Sequence, residues 1–412
     1  MRRIALATAA ALVAVAPAAH AAGWSGPARF SGGASEPAPR TAIAADGTSM
    51  TVWRRDDGAL VAAAGERHGR LAAPLVVTRR VTSSFAVAAD THERAAVAYE
   101  ARDGLHVAVR QGRGFSDHAI ASTGSEINGV QIAADPSTGW VVAERQFPRE
   151  GSGVPYRVRV VTLGDGGRPT GPVQDLGEGH FGIQARAAKQ LVVLRNGRAV
   201  LAYQAEGRNA VLLSTRPRGG TFSPPAEIAG ELADPAVTAS GNHAFVAAVQ
   251  AASCGDAGCA GAPVVSTIAP DGTANAPAGP ALAHPNRAFE PAAGPGTLAF
   301  LLKDAPKPFS REAGVSAFGG GAVQRLTREP STEPYALKLL ANTLVLWATR
   351  TGFGAAKASA AGGRFHRVAG PPGPPPSPFH TNATNRDFAS AGWYAIAAWA
   401  RAGTVRVSMR RF

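Results

Sequence analysis

A unit of four short β-type segments recurs along almost the whole chain, and this constrains the fold more than any other feature, because such a unit buries its apolar faces only against its neighbours. In the first copy Thr41 to Ala45 reaches a turn at Asp46-Gly47, a strand ends at Trp53, Asp57-Gly58 turns into Leu60 to Ala63, and Pro74 to Val77 closes the unit. The second runs through Phe85 to Ala89, Ala95 to Tyr99, Leu105 to Arg110 and Gly114 to Ile120. Later copies diverge but keep the order. Their second strands end near Glu144, Tyr203, Val249, Leu302, Trp347 and Trp399, at intervals of about 45 to 59 residues from the first copy onward, the length of four strands and their loops.

The eighth copy runs out at Phe412 before its outer strand, while Gly23 to Phe30 resembles the outer segments that begin at Gly114 and Gly220. The expected fold is therefore all-β: a single β-propeller of four-stranded blades, eight favoured and seven the alternative, closed by the N-terminal strand completing the last blade. Valine-rich runs, Gly and Asp turns and little helical periodicity agree with it. Trp53, Tyr99, Tyr203, Trp347 and Trp399 occupy equivalent positions and are expected to pack between blades.

Arg2 and Arg3 precede an apolar run from Ile4 to Pro17 and a small-residue pattern at Ala19-His20-Ala21, the signature of a secretory signal. Residues 1–21 are read as a signal peptide cleaved after Ala21, and 22–412 as the propeller domain. The run is too short for a membrane span, which needs ~20 apolar residues, so the exported chain is expected to be soluble, monomeric, and extracellular or periplasmic. Cys254 and Cys259, four residues apart in between, read as a local disulfide in that compartment. No metal or cofactor pattern is present in the sequence: the histidines are scattered, and there is no phosphate-binding or dinucleotide fingerprint.

The formal charge of +13 suits an anionic partner, an extracellular glycan or a protein, whereas the absence of a basic tail or stripe argues against nucleic acid. Tight turns such as Asp46-Gly47, Asn196-Gly197 and Gly219-Gly220 fall on one rim, and the insertions 146–155, 251–262 and 304–312 fall on the other, where loops free of core duty carry binding. The residues that follow the second strands ring that rim: Arg54, Glu100, Arg145, Gln204, Gln250, Lys303, Arg350 and Arg401. Mainly cationic, this ring is a candidate ligand-binding set for a carboxylated, sulfated or phosphorylated molecule. Glu100 and Glu144 are the one carboxylate pair considered for acid/base work.

The unit is similar to that of sialidase-like secreted bacterial propellers. The resemblance is carried by Asp103-Gly104 to Arg110, by Arg216 with Gly219-Gly220-Thr221-Phe222-Ser223-Pro224, and by Gly362-Gly363-Arg364-Phe365. It implies the fold. The S-x-D-x-G-x-x-W box of sialidases is absent, and neither their arginine triad nor their nucleophile matches residues here, so no catalytic residue is carried over. The expected function is a non-enzymatic binding propeller that recognises an extracellular glycan, peptide or protein through the loop-rich face; the alternative is a sialidase-like carbohydrate-active enzyme, a glycoside hydrolase or lyase, which would require two or three carboxylates and an arginine cluster to converge within hydrogen-bonding reach at the channel mouth.

Overall fold

The computed structural model describes residues 23–32, 38–65, 71–121, 126–147, 155–181, 189–255, 258–280, 282, 287–303, 311–317, 323–327, 335–340, 343–348, 352–372, 386–401 and 403–412. Every regular element among them is a strand. The first is β1 (Ala28–Ser31). A sheet follows from β2 (Arg40–Ile43), β3 (Ser49–Arg54), β4 (Leu60–Gly65) and β5 (Leu75–Thr78); the next holds β6 (Val81–Ala89), β7 (Ala95–Ala101), β8 (Gly104–Gln111) and β9 (Gly114–Ala121). The third holds β10 (Glu126–Asp135), β11 (Gly139–Phe147), β12 (Arg157–Leu163) and β13 (Gln174–Glu178), and the fourth β14 (Leu191–Val193), β15 (Ala199–Gln204), β16 (Val211–Arg216) and β17 (Ala226–Ile228). A seven-stranded sheet comprises β18 (Leu232–Ser240), β19 (His243–Gly255), β20 (Gly258–Ile268), β21 (Arg287–Gly294), β22 (Thr297–Lys303), β23 (Arg311–Ala317) and β24 (Gln324–Arg325). The last two are β25 (Tyr335–Leu340), β26 (Leu344–Ala348), β27 (Phe353–Ala358) and β28 (Phe365–Ala369), then β29 (Arg386–Ala391), β30 (Tyr394–Arg401) and β31 (Thr404–Arg411), whose sheet is completed by β1 in the order β1-β31-β30-β29.

The structure is a propeller of small antiparallel sheets. First strands of successive repeats lie side by side, β2 on β6, β6 on β10, and so on to β29, which returns to β2. The sheets number seven, the alternative count rather than the favoured eight. The reason lies in the fifth repeat: β20 pairs on its far side with β21 at Gly261↔Ala288, fusing two repeats into one sheet. Among the described residues the outer position beside β20 is filled by isolated bridges, Val265↔Ala278 and Ile268↔Ala274. The same region corrects the expected insertion at 251–262, because β19 and β20 run on as a long hairpin to Gly255 and Gly258.

Closure occurs where the sequence placed it. Ala28↔Val407, Arg29↔Arg406, Phe30↔Val405 and Ser31↔Thr404 are antiparallel partners, so the edge of β31 is covered. Ser25 extends the join, its amide donating to the Met409 carbonyl at 2.7 Å. The Phe30 ring stacks on Trp53 at 5.2 Å, tying the closing strand to the first sheet.

Each inner strand is buried on both faces, which is why it reads as a nearly continuous apolar run. In β3, Met50 and Val52 pack toward the β6–β9 sheet while Trp53 packs toward β29–β31, the two-residue alternation of a strand split between two cores. Trp53, Tyr99, Trp140, Tyr203, Trp347 and Trp399 are all buried between sheets. Alanines beside them keep the facing sheets close, as Ala96 and Ala98 do against Trp140 and Val142. On the tight-turn side, Arg216 at the end of β16 is buried against Asp135 at the end of β10, and its Nη1 donates to Thr162 Oγ1 at 2.8 Å. Burial alone would raise the Asp135 carboxyl; hydrogen bonds from Ser137, Thr138 and Arg216 outweigh it and hold the group below its ordinary range.

Candidate active site

The ends of β7 and β11 reach the loop-rich rim side by side. Ala98 of β7 and Val142 of β11 share the core between these two sheets, and strand alternation places Glu100 and Glu144, each two residues further on, on the same facing surfaces. Glu100 is 4% and Glu144 2% exposed. Leu105, Val142, Val160, Val161 and Val173 close around Glu144 and Arg159 and leave no room for a water molecule among them. Arg159, near the start of β12, brings its Nε to 3.4 Å from Glu144 Oε1, beyond good hydrogen-bond geometry, and neither oxygen of Glu144 has a hydrogen-bond partner among the described residues.

Those surroundings decide the charge state of Glu144. Loss of water raises its pKa to about 7, the negative charge of Glu100 adds to the rise, and Arg159 opposes it. A carboxyl that exchanges its proton near neutrality, facing a second carboxylate, has the chemical character of an acid/base pair.

The seam between the third and fourth sheets carries a second polar cluster on the same rim. Arg145 follows Glu144 and faces the opposite way; its guanidinium lies 5.0 Å from the Tyr156 ring centroid. His180 is clamped to Gln204 by reciprocal backbone hydrogen bonds of 2.8 and 3.0 Å, and its Nδ1 sits 3.1 Å from Glu206 Oε2. Burial lowers the His180 pKa and Arg145 lowers it further, against the pull of Glu206. The imidazole is thus oriented by a carboxylate and set beside a cation, with its charged form disfavoured by burial.

The residues expected on the rim divide accordingly. Glu100 and Arg145 join the two clusters. Arg54 closes β3 and donates through Nη1 to the Thr82 carbonyl at 3.2 Å, bridging to the next sheet. Gln204 braces the fold: Nε2 donates to the Arg208 carbonyl at 2.8 Å, and Oε1 accepts from the Asp234 amide at 3.1 Å. Lys303 ends β22 and Arg401 ends β30, but their side chains lie outside the described residues, as does Arg350 entirely. Cys254 and Cys259 are register partners at the tip of the β19–β20 hairpin; their side chains also lie outside the described residues. Arg159, His180 and Glu206 escaped the sequence reading because it followed second-strand ends, whereas these three come from the start of a third strand, the exit of a fourth and the turn after β15. Glu144, a carboxylate at an inward position of the run Trp140-Val141-Val142-Ala143, was the available signal.

No protein-family profile matches the chain, and no curated protein sequence does. Among solved structures it is similar to a puromycin hydrolase at 14% identity and a TM-score of 0.47, covering 83% of this chain and 55% of the hydrolase, so the chain spans about half the length of that protein. It is similar to virginiamycin B lyase from Staphylococcus aureus at 10% identity and a TM-score of 0.45, covering 79% and 96%. An alpha-L-arabinanase from Penicillium chrysogenum aligns at 9% identity and a TM-score of 0.44, covering 94% and 98%. Likeness at this level concerns the arrangement of sheets and not the chemistry.

The expectation of a purely binding, non-enzymatic propeller is corrected. The finding against it is that the three solved propellers named above are, by name, a puromycin hydrolase, a virginiamycin B lyase and an alpha-L-arabinanase. On its own rim Arg159 stands 3.4 Å from Glu144 and the charge of Glu100 acts on the same carboxyl, while Arg145 and His180 stand in the next seam.

Proposed function

We propose that the chain is a carbohydrate-active enzyme, a glycoside hydrolase or lyase on a sialidase-like scaffold, acting on an anionic extracellular glycan. The supporting observation is Glu144: buried, without a hydrogen-bond partner among the described residues, facing Glu100, and holding its proton up to about pH 7. In this reading protonated Glu144 delivers a proton to the departing sugar oxygen, and Glu100 is the second carboxylate of the pair. Arg145 and Arg159 meet the acidic groups of the glycan, and Arg54, Lys303, Arg350 and Arg401 extend the cationic ring around them. The protein reaches its substrate by export, with residues 1–21 removed, and works as a monomer.

The test is turnover of acidic and neutral glycans by the purified chain, followed both as new reducing ends and as the absorbance of unsaturated products. Cleavage is expected, with Glu144→Gln slower by about 10²-fold or more at an unchanged circular dichroism spectrum. A folded wild type inert on every acidic glycan, or a Glu144→Gln variant as active as wild type, overturns the proposal.

A further inference from the structure

The positive charge of this chain is concentrated at one end. Residues 335–412 contain ten Lys or Arg and one acidic residue, Asp387, a formal +9 of the total +13. In the fold these residues build the β25–β28 and β29–β31 sheets. Asp387 lies near the start of β29, toward the loop-rich rim, where its Oδ2 accepts the Thr41 amide at 2.9 Å. The cations at the opposite, tight-turn rim therefore have no acidic residue of their own two sheets beside them.

That rim also presents aromatic rings. Trp393, in the turn between β29 and β30, is 69% exposed, against 39% for Leu75 and 46% for Val76, the other exposed large apolar side chains among the described residues. Its carbonyl accepts the Phe412 amide at 2.9 Å. The Phe412 ring in turn has Lys357 Nζ at 5.2 Å and Arg410 Cζ at 5.8 Å from its centroid. Arg364, in the turn before β28, and Arg411 are exposed on the same rim. Arg410 bridges to Trp24, so the segment leading into β1 lies at this rim.

We propose that the tight-turn rim of the last two sheets is a docking surface for an anionic lipid bilayer. Trp393 sits at the headgroup level, the depth its amphipathic ring prefers, and Lys357, Arg364 and Arg411 meet lipid phosphates. An anionic lipid uses both features of the rim, the charge and the protruding indole. Docking in this way turns the Glu100–Glu144 rim away from the bilayer.

Flotation of the chain from Ala22 onward, which contains every strand of the ring, tests this without reference to catalysis. Vesicles of phosphatidylcholine alone are compared with vesicles that also contain phosphatidylglycerol, while tryptophan emission is recorded. We expect at least ~10-fold stronger partition to the anionic vesicles, weakened by salt, and a blue shift of emission. Arg364→Glu with Arg411→Glu should remove most of that preference, and Trp393→Ala should remove the blue shift, with the far-ultraviolet spectrum unchanged. Equal partition to neutral and anionic vesicles overturns the proposal. So does retention on immobilised heparin with none on vesicles, which would make the rim a surface for glycan polyanions.

Discussion

Glu100 and Glu144 face each other across the seam between two neighbouring sheets, and the charge on Glu100 is one of the two influences that raise the Glu144 pKa to about 7. The larger influence is burial. Because the group takes up its proton more readily folded than unfolded, the stabilisation from that proton is complete below the unfolded value of 4.5 and is lost as pH rises through about 7. At about 1.4 kcal/mol per pKa unit, the loss between the two limits is about 3 kcal/mol. Urea titrations of wild type should show stability falling across that window; Glu144→Gln should flatten the fall and be the more stable protein at pH 8. A wild-type curve without this slope would mean that Glu144 is ionised throughout.

In the proposed reaction the same proton sets the alkaline limb of the rate. Rates that depend on protonated Glu144 should fall as pH rises through about 7. Glu100→Gln, which removes the neighbouring charge, should move that limb to lower pH. A limb that stays in place in Glu100→Gln would separate the two carboxylates functionally.

Arg216 and Asp135 are both fully buried, with side-chain exposures of 1% and 0%. Arg216→Met leaves the Asp135 charge uncompensated and should cost about 3–5 kcal/mol, whereas replacing both with apolar residues of similar volume should recover much of it. Equilibrium unfolding of the two single variants and the double variant measures this. Additive losses would show that the pair is not coupled.

Gly354 lies against the Trp347 indole so closely that a β-carbon there would stand 2.1 Å from the ring. Gly354→Ala should therefore push the indole out of its place between the sheets and cost about 1–3 kcal/mol, read as a lowered urea midpoint and altered near-ultraviolet dichroism. An unchanged midpoint would mean that the ring has room to shift.

Closure of the ring through β1 predicts that a chain beginning after Ser31 exposes the edge of β31. Such a chain should unfold at lower urea and self-associate through the bare edge, as size-exclusion chromatography would reveal. A monomer of undiminished stability would place the closing contacts elsewhere.

Much of the ring is legible in the residues. Turn signals at Asp46-Gly47 and Asn196-Gly197, paired with strands ending in Trp53, Tyr99, Tyr203, Trp347 and Trp399, mark local units. The likeness of Gly23 to Phe30 to other outer strands was enough to join the two ends. These features depend on short-range backbone preferences and on apolar alternation, which the order of residues specifies directly. The sheet count was not so determined, because the fusion of the fifth and sixth repeats hangs on one register contact, Gly261↔Ala288, between segments with no distinctive pattern. Nor was the site. Arg159 meets Glu144 as its register partner on the adjacent strand, His180 and Glu206 meet only across the seam between two sheets, and the proton on Glu144 depends on water excluded by side chains distant in sequence. The order of residues could name Glu100 and Glu144 as a pair, but burial and through-space charge belong to the packed ring, and so the raised pKa of Glu144 was decided by tertiary structure.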